Sequence, residues 1–156
     1  EPMSLVFGLE DAPSLGEDGG VKHLTLKGRT DLTKHFLFSA AMTALASSEL
    51  SNAAGLFKEI DDSRGGSGFS FVDLLADRAG VRFAEMALQD ELSAKKTQQT
   101  MATAQSESIF MPGIDGLTEG MMEKNFKYRY GDLDSGAYGK VKSDIEGRID
   151  NCALYR

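Results

Sequence analysis

Apolar residues recur at helical spacing through most of the chain. From Thr30 to about Ala46, Leu32, Phe36, Met42 and Leu45 mark one face, and Thr30 with Asp31 makes a helix N-terminus. A second helix is predicted over 51–60, with Ala53, Leu56, Phe57 and Ile60 as its apolar stripe. The run Asp62-Ser63-Arg64-Gly65-Gly66-Ser67-Gly68 breaks it, because successive glycines cost a helix too much backbone entropy. Ser70 and Asp73 then form a capping-box-like pair that opens a third helix, reaching at least Gln89. Residues 90–108 are polar with little apolar period and read as a solvated arm. Two more helices are expected at about 117–128 and 135–152, the latter on Tyr138, Val141, Ile145 and Ile149. Before residue 30, Ser4-Leu5-Val6-Phe7 and the alternating Lys22-His23-Leu24-Thr25-Leu26-Lys27 look extended.

The expected fold is therefore mainly α, a compact bundle of about five helices with at most a small N-terminal β-hairpin. Residues 1–29 form an extended segment. Residues 30–156 form one helical domain, with core helices at 30–89, a polar arm or linker at 90–112 and C-terminal helices at 113–156. The 30–46, 51–61 and 70–89 helices should pack on one another, the third being the most buried.

Composition narrows the function classes. The 156 residues carry 17 basic and 24 acidic side chains, net -7, which disfavours nucleic acid as a partner. With 41% hydrophobic and 26% charged residues the chain reads as soluble and globular. The longest low-charge run, 36–48, is too short for a membrane-spanning helix, which needs about 20 residues. Cys152 is the single cysteine, so neither an internal disulfide nor a thiolate zinc cluster is expected. A first residue other than Met suggests a processed or a trimmed form, with an export signal as one candidate for the missing part.

Candidate chemistry lies in the central third. His35 and Ser39 stand four apart on the apolar side of the first helix, and Glu59 and Asp62 stand three apart at the end of the second. On the third helix Arg78, Arg82, Glu85 and Gln89 share a polar stripe. Ala76, Gly80, Phe83, Ala84 and Ala87 lie opposite, with Asp73 and Asp77 at the border of that buried side. A carboxylate there must be hydrogen-bonded, ion-paired or metal-bound. Gly80 and the alanines invite close approach by another backbone. Three readings stay open. In the first, Asp73 or Asp77 accepts from His35, Ser39 or loop amides and the cluster is structural. In the second, His35 with Glu59, Asp62 or Asp77 holds a divalent metal, since imidazole plus oxygen suits zinc, manganese or iron. In the third, His35 or Glu59 is a general base activating water or Ser39. The loop Gly65-Gly66-Ser67-Gly68 lacks the Lys-Ser/Thr ending of a phosphate-binding loop and reads as a tight connection capped by Ser70 or nearby carboxylates. The cluster Lys124, Lys127, Tyr128, Arg129 and Tyr130 reads as a solvated helix end beside packed tyrosines, with contact to a phosphate or a partner as the alternative.

Three segments in order carry a family resemblance: His35-Phe36-Leu37-Phe38-Ser39; Gly55-Leu56-Phe57-Lys58-Glu59-Ile60-Asp61-Asp62; and Gly68-Phe69-Ser70-Phe71-Val72-Asp73 continuing through Asp77-Arg78-Ala79-Gly80. Over about residues 34–84 the chain resembles small YfiM-type bacterial lipoproteins and, more distantly, the VanZ-like family. The resemblance implies a compact helical unit of the bacterial envelope, periplasmic or outer-membrane associated, with a polar cluster of His35, Glu59, Asp73 and Asp77. The expectation is a non-catalytic envelope protein binding a protein partner or a cell-wall or glycan component, without an organic cofactor. The alternatives are a hydrolase of cell-wall or glycan substrates using His35 and paired carboxylates, for which His35, Ser39, Glu59, Asp73 and Asp77 are the catalytic candidates, and a divalent-metal-binding protein.

Overall fold

A computed structural model describes residues 24–156. Among them are six α-helices: α1 (Thr30–Leu45), α2 (Ser48–Ser63), α3 (Phe71–Leu88), α4 (Glu91–Thr103), α5 (Glu123–Tyr130) and α6 (Gly136–Asp150). The protein is mainly helical, with one helix more than expected. The additional helix is α4, in the stretch read as a polar arm. Its N-terminus is capped by Asp90, whose side chain accepts from the Ser93 amide at 2.7 Å, and it buries Thr97. No named strand occurs among the described residues. Where the second extended run was expected, Leu26 and Arg29 form one bridge across a tight turn at Lys27 and Gly28, both at positive φ. The Ser4–Phe7 run lies outside the described residues. No described helix is long and apolar enough to cross a membrane.

Helix α3 is the axis of the fold. Ser70 caps it by accepting from the Asp73 amide at 3.0 Å, as the capping pair predicts. Phe71, Leu75, Ala76 and Ala79 are wholly buried along it. Helix α1 crosses it at Gly80, where an added Cβ would lie 2.2 Å from the Phe36 carbonyl oxygen. Backbone cannot yield that distance by a rotamer change, so Gly80→Ala must push the helices apart. We expect a loss of about 1–3 kcal/mol or more in a denaturant melt, with the helical circular dichroism of the native state retained.

Two aromatic groups close the core. Phe36, Phe83 and Phe110 pack with centroids 5.5–5.9 Å apart where α1 meets α3. At the start of α3, Phe69 stacks on Phe126 at 4.5 Å, and Phe71 meets Tyr130 at 5.0 Å and Tyr138 at 6.0 Å. The helix expected at 117–128 begins only at Glu123. Residues 118–121 instead pair with the strand-like approach to α3: Phe69 and Met121 exchange both backbone hydrogen bonds, and the Phe71 amide donates to the Thr118 carbonyl at 2.9 Å. Gly68, at φ +90°, allows this crossing, since a Cβ there would lie 2.4 Å from the Gly120 carbonyl carbon. In the basic and aromatic cluster Lys127 pairs with Glu123 at 3.0 Å and Tyr130 is packed, but Tyr128, expected to pack as well, is 90% exposed.

The face of α2 differs from the sequence expectation. Its buried residues are Ser51, Gly55, Glu59 and Ser63, whereas Phe57 of the expected apolar stripe is 71% exposed and Ala53 is exposed too. On α1, Leu32 and Phe36 are buried as expected, but Leu45 is 72% exposed. Helix α2 turns small or polar residues inward because what it covers on α3 is polar, whereas α1 buries Leu32 and Phe36 beside Ser39.

Candidate functional site

Three helices deliver the polar cluster. Helix α1 supplies His35 and Ser39 one turn apart, α2 supplies Glu59, and α3 supplies Asp73 and Asp77 one turn apart. Gly55 sets how closely α2 can sit on α3: a Cβ at that position would lie 2.8 Å from Asp77 Oδ2 and 3.2 Å from its Cγ.

Asp77 Oδ1 is the hub. Ser39 Oγ donates to it at 2.8 Å, and His35 Nδ1 lies 3.1 Å away. Ser39 is itself held in place, its carbonyl accepting from Ser51 Oγ at 3.0 Å and Thr43 Oγ1 at 2.8 Å. A neutral ring that donates from Nδ1 to Asp77 carries its lone pair on Nε2. That lone pair faces a second carboxylate, Asp73 Oδ2, at 3.6 Å. Two electron-rich groups in that position require a positive charge between or upon them.

Glu59 completes the arrangement. It is 0% exposed, and its Oε2 accepts from the Ser70 amide at 2.7 Å, tying the loop and the start of α3 to α2 as the capped-connection reading expects. Its other oxygen, Oε1, has no hydrogen-bond partner among the described residues, the nearest cation being Lys58 Nζ at 3.9 Å. Asp73 Oδ1 is likewise buried without a hydrogen bond, with Arg29 at 3.8 Å, and Asp77 Oδ2 is buried without one as well. His35, Glu59 and Asp73 each offer a ligand atom within 4.8 Å of the others.

The electrostatics follow from this geometry. Burial, reinforced by the charge of Asp73, pushes the Glu59 carboxyl up to about 7 against the opposing pull of the Ser70 amide, Lys58 and His35. Burial also raises Asp73, with His35 countering. Burial acts against charging His35, but the hydrogen bond to Asp77 and the charges of Asp77 and Asp73 outweigh it and raise the imidazole. Every member of the trio thus holds its proton more tightly than in water.

The structure brings His35, Ser39, Glu59, Asp73 and Asp77 together and leaves Asp62 aside. Asp62 pairs with Lys58 at 2.5 Å and accepts from Ser67 at 3.3 Å on the outer side of α2. Arg29 is engaged with Asp31 at 2.5 Å and Glu119 at 2.7 Å as well as standing near Asp73. Sequence reasoning missed the supporting roles of Ser51, Gly55, Lys58 and Arg29. The signal for the first two was the four-residue ladder Ser51, Gly55, Glu59, Ser63, a small and polar stripe on one helix face.

Compared with known proteins, the chain matches no family model, no curated protein and no solved structure.

Proposed function

We propose that this protein binds a divalent cation through His35, Glu59 and Asp73, and that the ion joins α1, α2 and α3. The observation that carries the reading is that ligand atoms of His35, Glu59 and Asp73 lie within 4.8 Å of one another, while Glu59 Oε1 and Asp73 Oδ1 are buried without hydrogen bonds. Buried carboxylates left without partners are costly, and a cation removes that cost at one stroke. One imidazole with two carboxylates suits zinc or manganese better than magnesium or calcium, which prefer all-oxygen shells. The Nδ1–H to Asp77 hydrogen bond is the outer contact that orients metal-binding imidazoles and fixes their tautomer.

Glycoside hydrolysis needs two carboxyl groups facing one cleft. Glu59 at 0% exposure and Asp77 at 4% argue for binding over that reaction. The resemblance to YfiM-type lipoproteins supports a setting in the bacterial envelope, where the ion-bound helical unit would serve a non-catalytic role.

Metal analysis after equilibration with Zn²⁺ or Mn²⁺ and gel filtration tests the reading. One ion per chain is expected in the wild type and in Asp62→Asn, and a loss of at least ten-fold in affinity in Glu59→Gln and Asp73→Asn. Equal metal content in all four proteins would overturn it.

A further inference from the structure

On the outer side of the cluster a cavity of about 520 Å³ lies between α1 and α2. Its floor is formed by His35 and Asp77, its walls by Phe38, Ala54 and Gly55, and Lys34 and Lys58 stand at its rim. The volume is that of a site for a small organic molecule.

Three features say what such a molecule must carry. Asp77 is 4% exposed, and its Oδ2 has no hydrogen-bond partner, although Oδ1 of the same carboxylate has two. That oxygen lies against Gly55, which has no side chain to stand between the carboxylate and the cavity. Phe38, 62% exposed on α1, offers an aromatic face to an apolar body. Lys34 is exposed and has no ion-pair partner among the described residues, while Lys58 shares the rim, already paired with Asp62. The third aspect of the rim, Asp31, is neutralised by Arg29 at 2.5 Å.

We infer that this cavity binds a small amphipathic anion: a molecule with an N–H or O–H donor for Asp77 Oδ2, an apolar, preferably aromatic body against Phe38 and Ala54, and an anionic group for Lys34. Of the three proposed cation ligands only His35 lines the cavity; Glu59 and Asp73 do not, so a change at Glu59 distinguishes the two sites.

The probe 1-anilinonaphthalene-8-sulfonate has all three features: a secondary amine N–H, two aromatic units and a sulfonate. Fluorescence titration of chelator-treated, folded protein should show one saturable site per chain. Lys34→Glu should weaken it at least ten-fold, as should replacing the probe by N-phenyl-1-naphthylamine, which lacks the sulfonate. Ala54→Trp, which fills the cavity, should abolish it, and Leu88→Ser, at an exposed apolar position on α3, should leave it unchanged. Thermal melts of each variant confirm that the probe meets a folded chain, and Lys34→Glu, at an exposed position, keeps the test valid if Ala54→Trp fails to fold. Absence of a saturable site in the wild type would overturn the inference, as would binding that is indifferent to Lys34→Glu and to loss of the sulfonate. Loss of metal binding in Glu59→Gln with probe binding intact would separate the two sites.

Discussion

Saturating Zn²⁺ or Mn²⁺ is expected to raise the thermal midpoint by on the order of 10 °C at pH 8 and by little at pH 5. A ligand present at a thousand times its dissociation constant stabilises the native state by about 4 kcal/mol, and a domain of this size shifts by roughly 3 °C per kcal/mol. The pH dependence comes from the competing protons. Glu59, His35 and Asp73 all have folded-state pKa values above their ordinary ones, so the folded chain binds more protons than the unfolded chain. Stability of the ion-free protein must therefore fall as pH rises. For Glu59 the fall spans the window from 4.5 to about 7, and its full size is about 3 kcal/mol. His35 adds to the fall above its ordinary value of 6.5. A cation takes the place of those protons, so it should flatten the decline. Glu59→Gln should remove the benefit of the ion and make the ion-free protein more stable than wild type at pH 8. Scanning calorimetry across pH, with ion and with chelator, measures both effects. An equal shift at pH 5 and pH 8 would contradict the cation site.

Asp77→Ala should cost about 3–5 kcal/mol, the largest loss from any single change in the cluster. The substitution strips the acceptor from both His35 Nδ1 and Ser39 Oγ, groups buried at the crossing of α1 and α3. Asp77→Asn keeps an oxygen in place and should recover much of the loss, because an amide carbonyl can still accept from both. Asp62→Ala removes a partly exposed ion pair with Lys58 and should cost no more than about 1 kcal/mol. Urea melts rank the three. Equal midpoints for Asp77→Ala and Asp62→Ala would mean that Asp77 is not a structural hub.

The parts of the fold and cluster that could be read from the sequence are those whose signal is local. Ser70 with Asp73 marks the start of α3 through a cap that spans three residues, and the border position of Asp77 on the same helix follows from the helical period alone. That His35 meets a carboxylate of α3 was also legible, since buried polar groups on packed helices must satisfy each other, but the choice of Asp77 over Asp73 was not. The face of α2 was not, because reading apolar residues as the inward stripe assumes an apolar neighbour. Against Asp77 and Glu59's loop contacts the inward face had to be Ser51, Gly55 and Ser63, which sent Phe57 outward. Helix α4 was hidden for a related reason: it buries little more than Thr97, so its stripe is too weak to see, although the Asp90 cap was present. The pairing of Phe69 with Met121 spans 52 positions and has no local signature.

The aromatic closure at the head of α3 sets an order on how the chain is made. The three helices that carry the cluster are complete at Leu88, yet the rings that cover Phe69 and Phe71 belong to Phe126, Tyr130 and Tyr138. The last of these is made 50 residues later, a delay of a few seconds at about 5–20 residues per second on the ribosome. During that interval a nascent chain holds two bare phenylalanines next to the ligands of the cluster, and a chaperone or an early-bound ion would meet the site before its own C-terminal half does.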